Sequence, residues 1–163
     1  MKDRIDIAVT GISLMGDGVL SIDQTIAEMM NNAQREIIIA GYSFGNSVPE
    51  IMQNLGKAAA KDVTIRIIFN KFENMKDTVK EYYLNLQKQW TNVRLYNYLG
   101  TNTSDLHVKA IAVDHTKAMI GSANFSYTAF ETNYEISAVI TGDSAYIIRN
   151  LLMRLLGVCE PVQ

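Results

Sequence analysis

The apolar positions of this chain change their spacing repeatedly, and each change marks an element. Residues 5–12, IDIAVTGI, read as a first strand, and Gly16, Asp17 and Gly18 then supply loop residues. From Ser21 the spacing becomes helical: Ile22, Ile26, Met29, Met30 and Ala33 share a face, with Ser21 and Gln24 at capping-box distance. EIIIAGYSF, from residue 36, is a short β-rich run of the kind buried on both faces of a sheet. A second helical signature runs from Ser47 to Asp62, with Ser47 and Glu50 as another capping box and Pro49 in the first turn. VTIRIIF, from residue 63, is again a strand. The following polar helix, 74–90, places Met75, Val79, Tyr82, Tyr83 and Leu86 on a stripe that faces the sheet.

VRLYNYL, from residue 93, adds a strand, and a polar loop leads into DLHVKAIAVD at 105–114. The latter reads as a strand that His107 and Lys109 interrupt. A turn containing His115, expected to be solvated, precedes a short strand at 118–121 and a long polar loop to residue 135. The strand 136–141 and an amphipathic helix 143–157 follow, the helix capped by Asp143 at its start and Gly157 at its end. This alternation predicts an α/β fold, a mixed, mostly parallel β-sheet flanked by helices. With no internal repeat and no linker-like stretch, residues 1–163 are expected to form a single domain.

Composition narrows the function. A formal net charge of -2 provides no bulk positive field, so any anion site must be local. The one cysteine, Cys159, excludes an internal disulfide, and two histidines without a carboxylate cluster give no set of metal ligands. No metal or other cofactor is therefore expected. No apolar run approaches the ~18 residues that span a bilayer, and the first residues lack the features of a leader. A cytoplasmic protein without stable membrane association is the expectation.

His107 and Lys109 bring the chemistry. Two apart on a strand, they share a face, and an imidazole beside an ammonium is unfavourable unless an anion joins them. If 107–113, 118–121 and 134–140 are sheet neighbours, then Gly121, Ser122, Asn124, Asn133 and Glu135 gather at the same end. Lys109 would supply a point charge, Ser122 and Asn124 neutral hydrogen-bonding groups, and Glu135 a carboxylate to orient His107.

The spacing of His107, Lys109 and Asp114, followed by Gly121, Ser122 and Asn124, resembles the HKD motif of the phospholipase D superfamily. Glu135, two residues after Asn133, stands where that family has a carboxylate. The resemblance implies metal-independent phosphodiester hydrolysis through a covalent phosphohistidine on His107, with Lys109, Ser122 and Asn124 holding the phosphoryl oxygens. Glu135 would fix the second ring nitrogen, while Asp114 and Gly121 would be structural members of the motif. Asp114 lies an odd number of residues from His107, at the far end of the predicted strand.

Only one such motif is present, whereas phospholipases of the superfamily carry two. The chain thus resembles the small single-motif nucleases, implying a homodimer with a shared active site. Nucleic acid, DNA or RNA, is the substrate this favours. A lipid phosphodiesterase is the alternative, although no exposed basic amphipathic helix is evident. A non-catalytic nucleic-acid-binding or assembly module that keeps the fold is the third reading. It is disfavoured because each expected catalytic position is filled. Lys57, Lys61, Lys71, Lys76, Lys80 and Lys88 are scattered rather than arranged as a stripe, so non-specific nucleic-acid affinity would be weak.

Overall fold

The computed structural model describes residues 2–45, 49–100 and 104–163. In chain order its strands and α-helices are β1 (Arg4–Thr10), β2 (Leu20–Ser21), α1 (Ile22–Asn31), β3 (Glu36–Gly41), α2 (Pro49–Ala59), β4 (Thr64–Asn70), α3 (Asp77–Gln89), β5 (Val93–Tyr98), β6 (Lys109–Val113), β7 (Lys117–Gly121), β8 (Glu135–Thr141), α4 (Asp143–Leu155) and β9 (Glu160–Pro161). The strands form one mixed sheet in the order β2-β1-β8-β7-β6-β3-β4-β5-β9.

The expected α/β architecture is present, but the sheet is not mostly parallel. Among the described residues, β1–β2, β3–β4 and β4–β5 pair in parallel, whereas β1–β8, β3–β6, β5–β9, β6–β7 and β7–β8 are antiparallel. Loop length explains the split. The parallel pairs β3–β4 and β4–β5 need crossovers, which α2 and α3 supply, while the three residues between β6 and β7 can only close a hairpin.

β3 is the core of the sheet. All six of its residues are buried, Ile37 and Ile39 among α1, α2 and α3 side chains, Ile38 and Ala40 among those of α4. Each of its isoleucines stabilises the fold by about 1.5–3 kcal/mol. The helical stripe of α3 buries Val79, Tyr83 and Leu86, but Tyr82 is exposed.

Helix ends depart from the sequence reading. Ser21 is the residue before α1, yet its hydroxyl bonds to Asp23 rather than to the helix backbone. The capping box of Ser47 and Glu50 lies outside the described residues. At α4 the flanking residue is Gly142, at φ 125°. The capping carboxylate comes from Asp3, which accepts the Ser144 amide at 2.9 Å and the Ser144 hydroxyl. A Cβ at Gly142 would meet that carboxylate at 2.6 Å. Gly157 sits inside a tight helical turn, Leu156–Val158, that continues α4 rather than ending it. No helix among the described residues is long and apolar enough to cross a membrane.

Candidate active site

The site lies where β3 ends and β6 begins. Register pairs Gly41 with Lys109, so the last residue of β3 delivers Tyr42 beside the first residue of β6. His107 precedes β6 and is not in a strand, contrary to the expectation of a strand through 105–114. The reason is local: β3 offers no ladder beyond Gly41 against which residues 105–108 could pair.

Other contacts hold this segment. Asn70, the last residue of β4, accepts the Leu106 amide on its side-chain oxygen at 2.8 Å, and Lys71 Nζ meets Asp105 at 2.7 Å. Leu106 itself is buried.

The expected juxtaposition survives without the strand. Lys109 Nζ is 3.3 Å from His107 Nδ1 and 3.4 Å from Nε2, and 3.3 Å from the His107 carbonyl oxygen. Almost equal distances to both nitrogens mean that the ammonium does not select one tautomer. Tyr42 completes the group: its ring lies 4.5 Å from the imidazole, tilted by 52°, and 5.3 Å from Lys109 Nζ. An aromatic face that close to an ammonium attracts it. Burial pulls the Lys109 pKa below the ordinary lysine value, with the charge of Glu135 acting in the other direction.

β7 and β8 bring the remaining groups. Gly121 is required for their approach: a Cβ there would meet Ser137 Oγ at 2.1 Å and the Ile136 carbonyl oxygen at 2.6 Å. Directly after it, the Ser122 amide donates to the Ile136 carbonyl at 3.1 Å, and Ser122 Oγ accepts the Ile136 amide at 3.2 Å. The hydroxyl proton goes to Glu135 Oε2.

Glu135, buried at the start of β8, takes the Asn133 side-chain amide on its other oxygen at 3.0 Å. Both carboxylate oxygens are thus engaged by neutral donors of the same chain. No hydrogen bond joins Glu135 to His107 among the described residues.

Asn124 lies on the loop after β7, and its buried Oδ1 has no partner among the described residues. The neighbouring Phe125 ties this loop to the one after β3. Its amide donates to the Ser43 carbonyl at 3.1 Å, its carbonyl accepts the Gly45 amide at 2.9 Å, and its ring stacks on Phe44. The Asn124 and Tyr42 segments are therefore held side by side.

Asp114 stands at the opposite end of β6, about 20 Å from His107 at ~3.3 Å per residue. Its carboxylate accepts the backbone amides of Gln34 at 2.7 Å, Arg35 at 2.7 Å and Glu36 at 3.0 Å. It clamps the entry of β3 to the turn after β6 and is spent on backbone.

His115, expected to be solvated, keeps 42% of its side chain exposed and also meets Glu36 Oε1 at 2.8 Å. Glu36 is buried and also holds Arg149 at 2.6 Å and Arg66 at 3.2 Å. Burial alone would raise its pKa, but the Arg149 hydrogen bond and the charges of Arg149, His115 and Arg66 more than offset this and lower it. This cluster is at the Asp114 end of the sheet, away from His107.

Sequence reasoning missed Tyr42, Asn70 and Lys71. Each contributes through strand register or loop packing, and no local pattern marks them. What the site offers is an exposed imidazole, an adjacent ammonium and hydroxyl and amide groups on one sheet end, which suits a phosphoryl group with its spread negative charge. Among the described residues no His, Cys, Asp or Glu side chains group as metal ligands.

Residues 26–153 match the family model described as cardiolipin synthase, PLD-like domain. The chain is 32% identical over 133 residues to the DISARM protein DrmC of Bacillus paralicheniformis, a match that covers 80% of this chain and 54% of DrmC. It thus spans about half the length of that relative. Among solved structures it superimposes on Nuc of Salmonella typhimurium, a phospholipase D family member, with a TM-score of 0.78 at 19% identity, covering 99% of both chains. NucT from Helicobacter pylori gives a TM-score of 0.78 at 18% identity over 99% of this chain and 100% of that one.

Proposed function

The chain belongs to the family of the cardiolipin synthase, PLD-like domain, and from that premise we propose that it is a phosphodiesterase that cleaves nucleic-acid backbones at a site shared by two copies. The observation that carries this reading is the state of His107. It has an ammonium at 3.3 Å and an aromatic ring at 4.5 Å, but no carboxylate bonded to either nitrogen among the described residues. One chain presents one imidazole and a carboxylate turned elsewhere, which is half of an acid–base pair.

The chemistry then needs a second histidine. A neutral His107 nitrogen attacks phosphorus, the new P–N bond forms as the P–O bond to the leaving group breaks, and the imidazolium of the second copy protonates the departing oxygen. Water, deprotonated by that same second imidazole, next attacks phosphorus and releases His107. Lys109 and the Asn124 side-chain amide hold the phosphoryl oxygens as their charge grows, joined by Ser122 once its hydroxyl proton turns from Glu135 to the phosphate. No step needs a metal.

The surface around Glu135 supports a second copy. Ile12, Met15, Tyr134 and Ile136 are 88%, 50%, 64% and 55% exposed, and Thr10, at the end of β1, pairs with Glu135 in register. Clustered exposed apolar side chains at the rim of a polar site mark an interaction surface. The fold shared with Nuc and NucT extends over nearly the whole of each chain, and the choice of nucleic acid over lipid rests on the resemblance to the small single-motif nucleases.

Mixed assemblies test the reading. When wild type and His107→Ala chains are exchanged in equal amounts, random pairing leaves about a quarter of dimers fully wild type. Cleavage of an oligonucleotide should fall to about a quarter, and it should persist in excess chelator. Retention of about half after verified exchange would show that each chain works alone.

A further inference from the structure

Beside His107 the surface opens into a cleft of about 590 Å³, an ordinary volume for a small-ligand site. Its floor is apolar, made by Phe44, Met75 and Val79, and its rim carries Asn70, Lys71, Asn74 and Lys76. Two further walls belong to the reactive end of the sheet. Tyr42 packs against the His107 ring at a tilt, and Asp105 lies two residues before His107. The cleft and the imidazole therefore share a wall one side chain thick.

We infer that this cleft is a subsite for the nucleotide adjoining the scissile phosphate, with the base on the apolar floor and that nucleotide's own phosphate at Lys76 and Lys71. The inference rests on the nuclease reading above and places its substrate. An apolar floor under a rim of amides and ammonium groups matches a nucleotide, whose base is flat and edged with hydrogen-bonding atoms while its phosphate is anionic. A lipid tail would need a longer apolar trench than these three side chains provide.

The two lysines are not equivalent. Lys71, held at φ 51°, is paired with Asp105 at 2.7 Å, and that hydrogen bond raises its pKa and lowers that of Asp105. The pair is partly exposed, its carboxylate more so than its ammonium, so exchanging that carboxylate for a phosphate oxygen costs little. Lys76 is exposed and has no acidic partner among the described residues. It is the stronger determinant of the two.

The test compares a trinucleotide with bis(p-nitrophenyl) phosphate, which is too small to reach the cleft and the reacting centre together. For Lys76→Glu the ratio of kcat/KM on the trinucleotide to that on the small ester should fall at least about tenfold. For Lys76→Gln the slope of log KM against log salt on an oligonucleotide should lessen by about 0.7, the loss of one phosphate contact. Lys88→Glu makes the same charge change at the far end of α3 and controls for general electrostatics. An unchanged ratio for Lys76→Glu, or an equal fall for Lys88→Glu, overturns the subsite. A wild-type protein that hydrolyses the small ester but no nucleic acid removes the nuclease reading itself, and the subsite with it.

Discussion

Replacing Asp114 by Asn tests whether the third residue of the motif acts on the fold or on the chemistry. The carboxylate accepts three backbone amides, those of Gln34 and Arg35 at 2.7 Å and Glu36 at 3.0 Å. Asparagine keeps one carbonyl oxygen for Arg35 and Glu36, but its amino group then faces the Gln34 amide, donor against donor. Asp114 sits at φ 51°, a conformation Asn also tolerates, so the backbone contributes no difference. A hydrogen bond of this partly exposed kind is worth about 0.5–1.5 kcal/mol. One lost bond, one unsatisfied donor and two weakened bonds together cost about 2–3 kcal/mol. For a chain of this size that lowers the Tm by roughly 4–12 °C.

The assay is thermal unfolding followed by circular dichroism, with kcat/KM measured well below both transitions. The expected result is the lowered Tm with activity per folded molecule within about twofold of wild type. An unchanged Tm with lost activity would place Asp114 in the chemistry and refute its assignment as a backbone clamp.

His107→Ala and Lys109→Ala should each lower turnover of a small phosphodiester by at least about a hundredfold, with circular dichroism unchanged. Because burial lowers the Lys109 pKa from 10.5, the alkaline limb of phosphodiester binding should begin below that value, as a pH series of KM would show; a limb above it contradicts the assigned role. Gly121→Ala should separate β7 from β8, costing about 1–3 kcal/mol and weakening activity through Ser122, both readable from melts and kcat/KM. The lowered Glu36 pKa stabilises the fold fully above its unfolded value of 4.5, and that contribution is lost as pH falls through the folded value. Urea midpoints of Glu36→Gln should therefore be lower than wild type near neutrality, and the gap should narrow in acid.

Periodicity sufficed wherever a residue's partner lies on its own element. The apolar run that follows Glu36 in β3 announced burial on both faces, and the stripe of α3 was right except at Tyr82, which is exposed, and Met75, which precedes the helix. It failed where a partner comes from far along the chain. Asp3 caps α4 from just before the neighbouring strand β1, and no reading of residues 143–157 alone reveals that. The turn after β6 shows the same limit, since His115 is partly exposed as its turn suggests, and its contact with Glu36 arises only from the pairing of β3 with β6. The candidate residues could be picked out because His107, Lys109, Gly121, Ser122 and Asn124 lie within one short stretch, but the expected contact of Glu135 with His107 is replaced by Ser122 and Asn133. Tyr42, Asn70 and Lys71 stayed hidden because they arrive from the ends of β3 and β4, whose register has no signature in sequence.

The pairing of β1 with β8 sets a schedule on the assembly of the fold. The seven residues of β1 find their long ladder only in Glu135–Thr141, and Asp3 finds Ser144 just beyond. During vectorial synthesis β1 must wait, held at most by the two residues of β2, until β8 has emerged. β3, β4 and β5 can associate in sequence while it waits, but the ladder between β1 and β8 closes last. Loop-closure entropy makes that step slow relative to local pairing. Until it is complete, Glu135 and the groups it holds have an unpaired edge beside them, so the candidate site at this end of the sheet matures only when β1 and β8 meet.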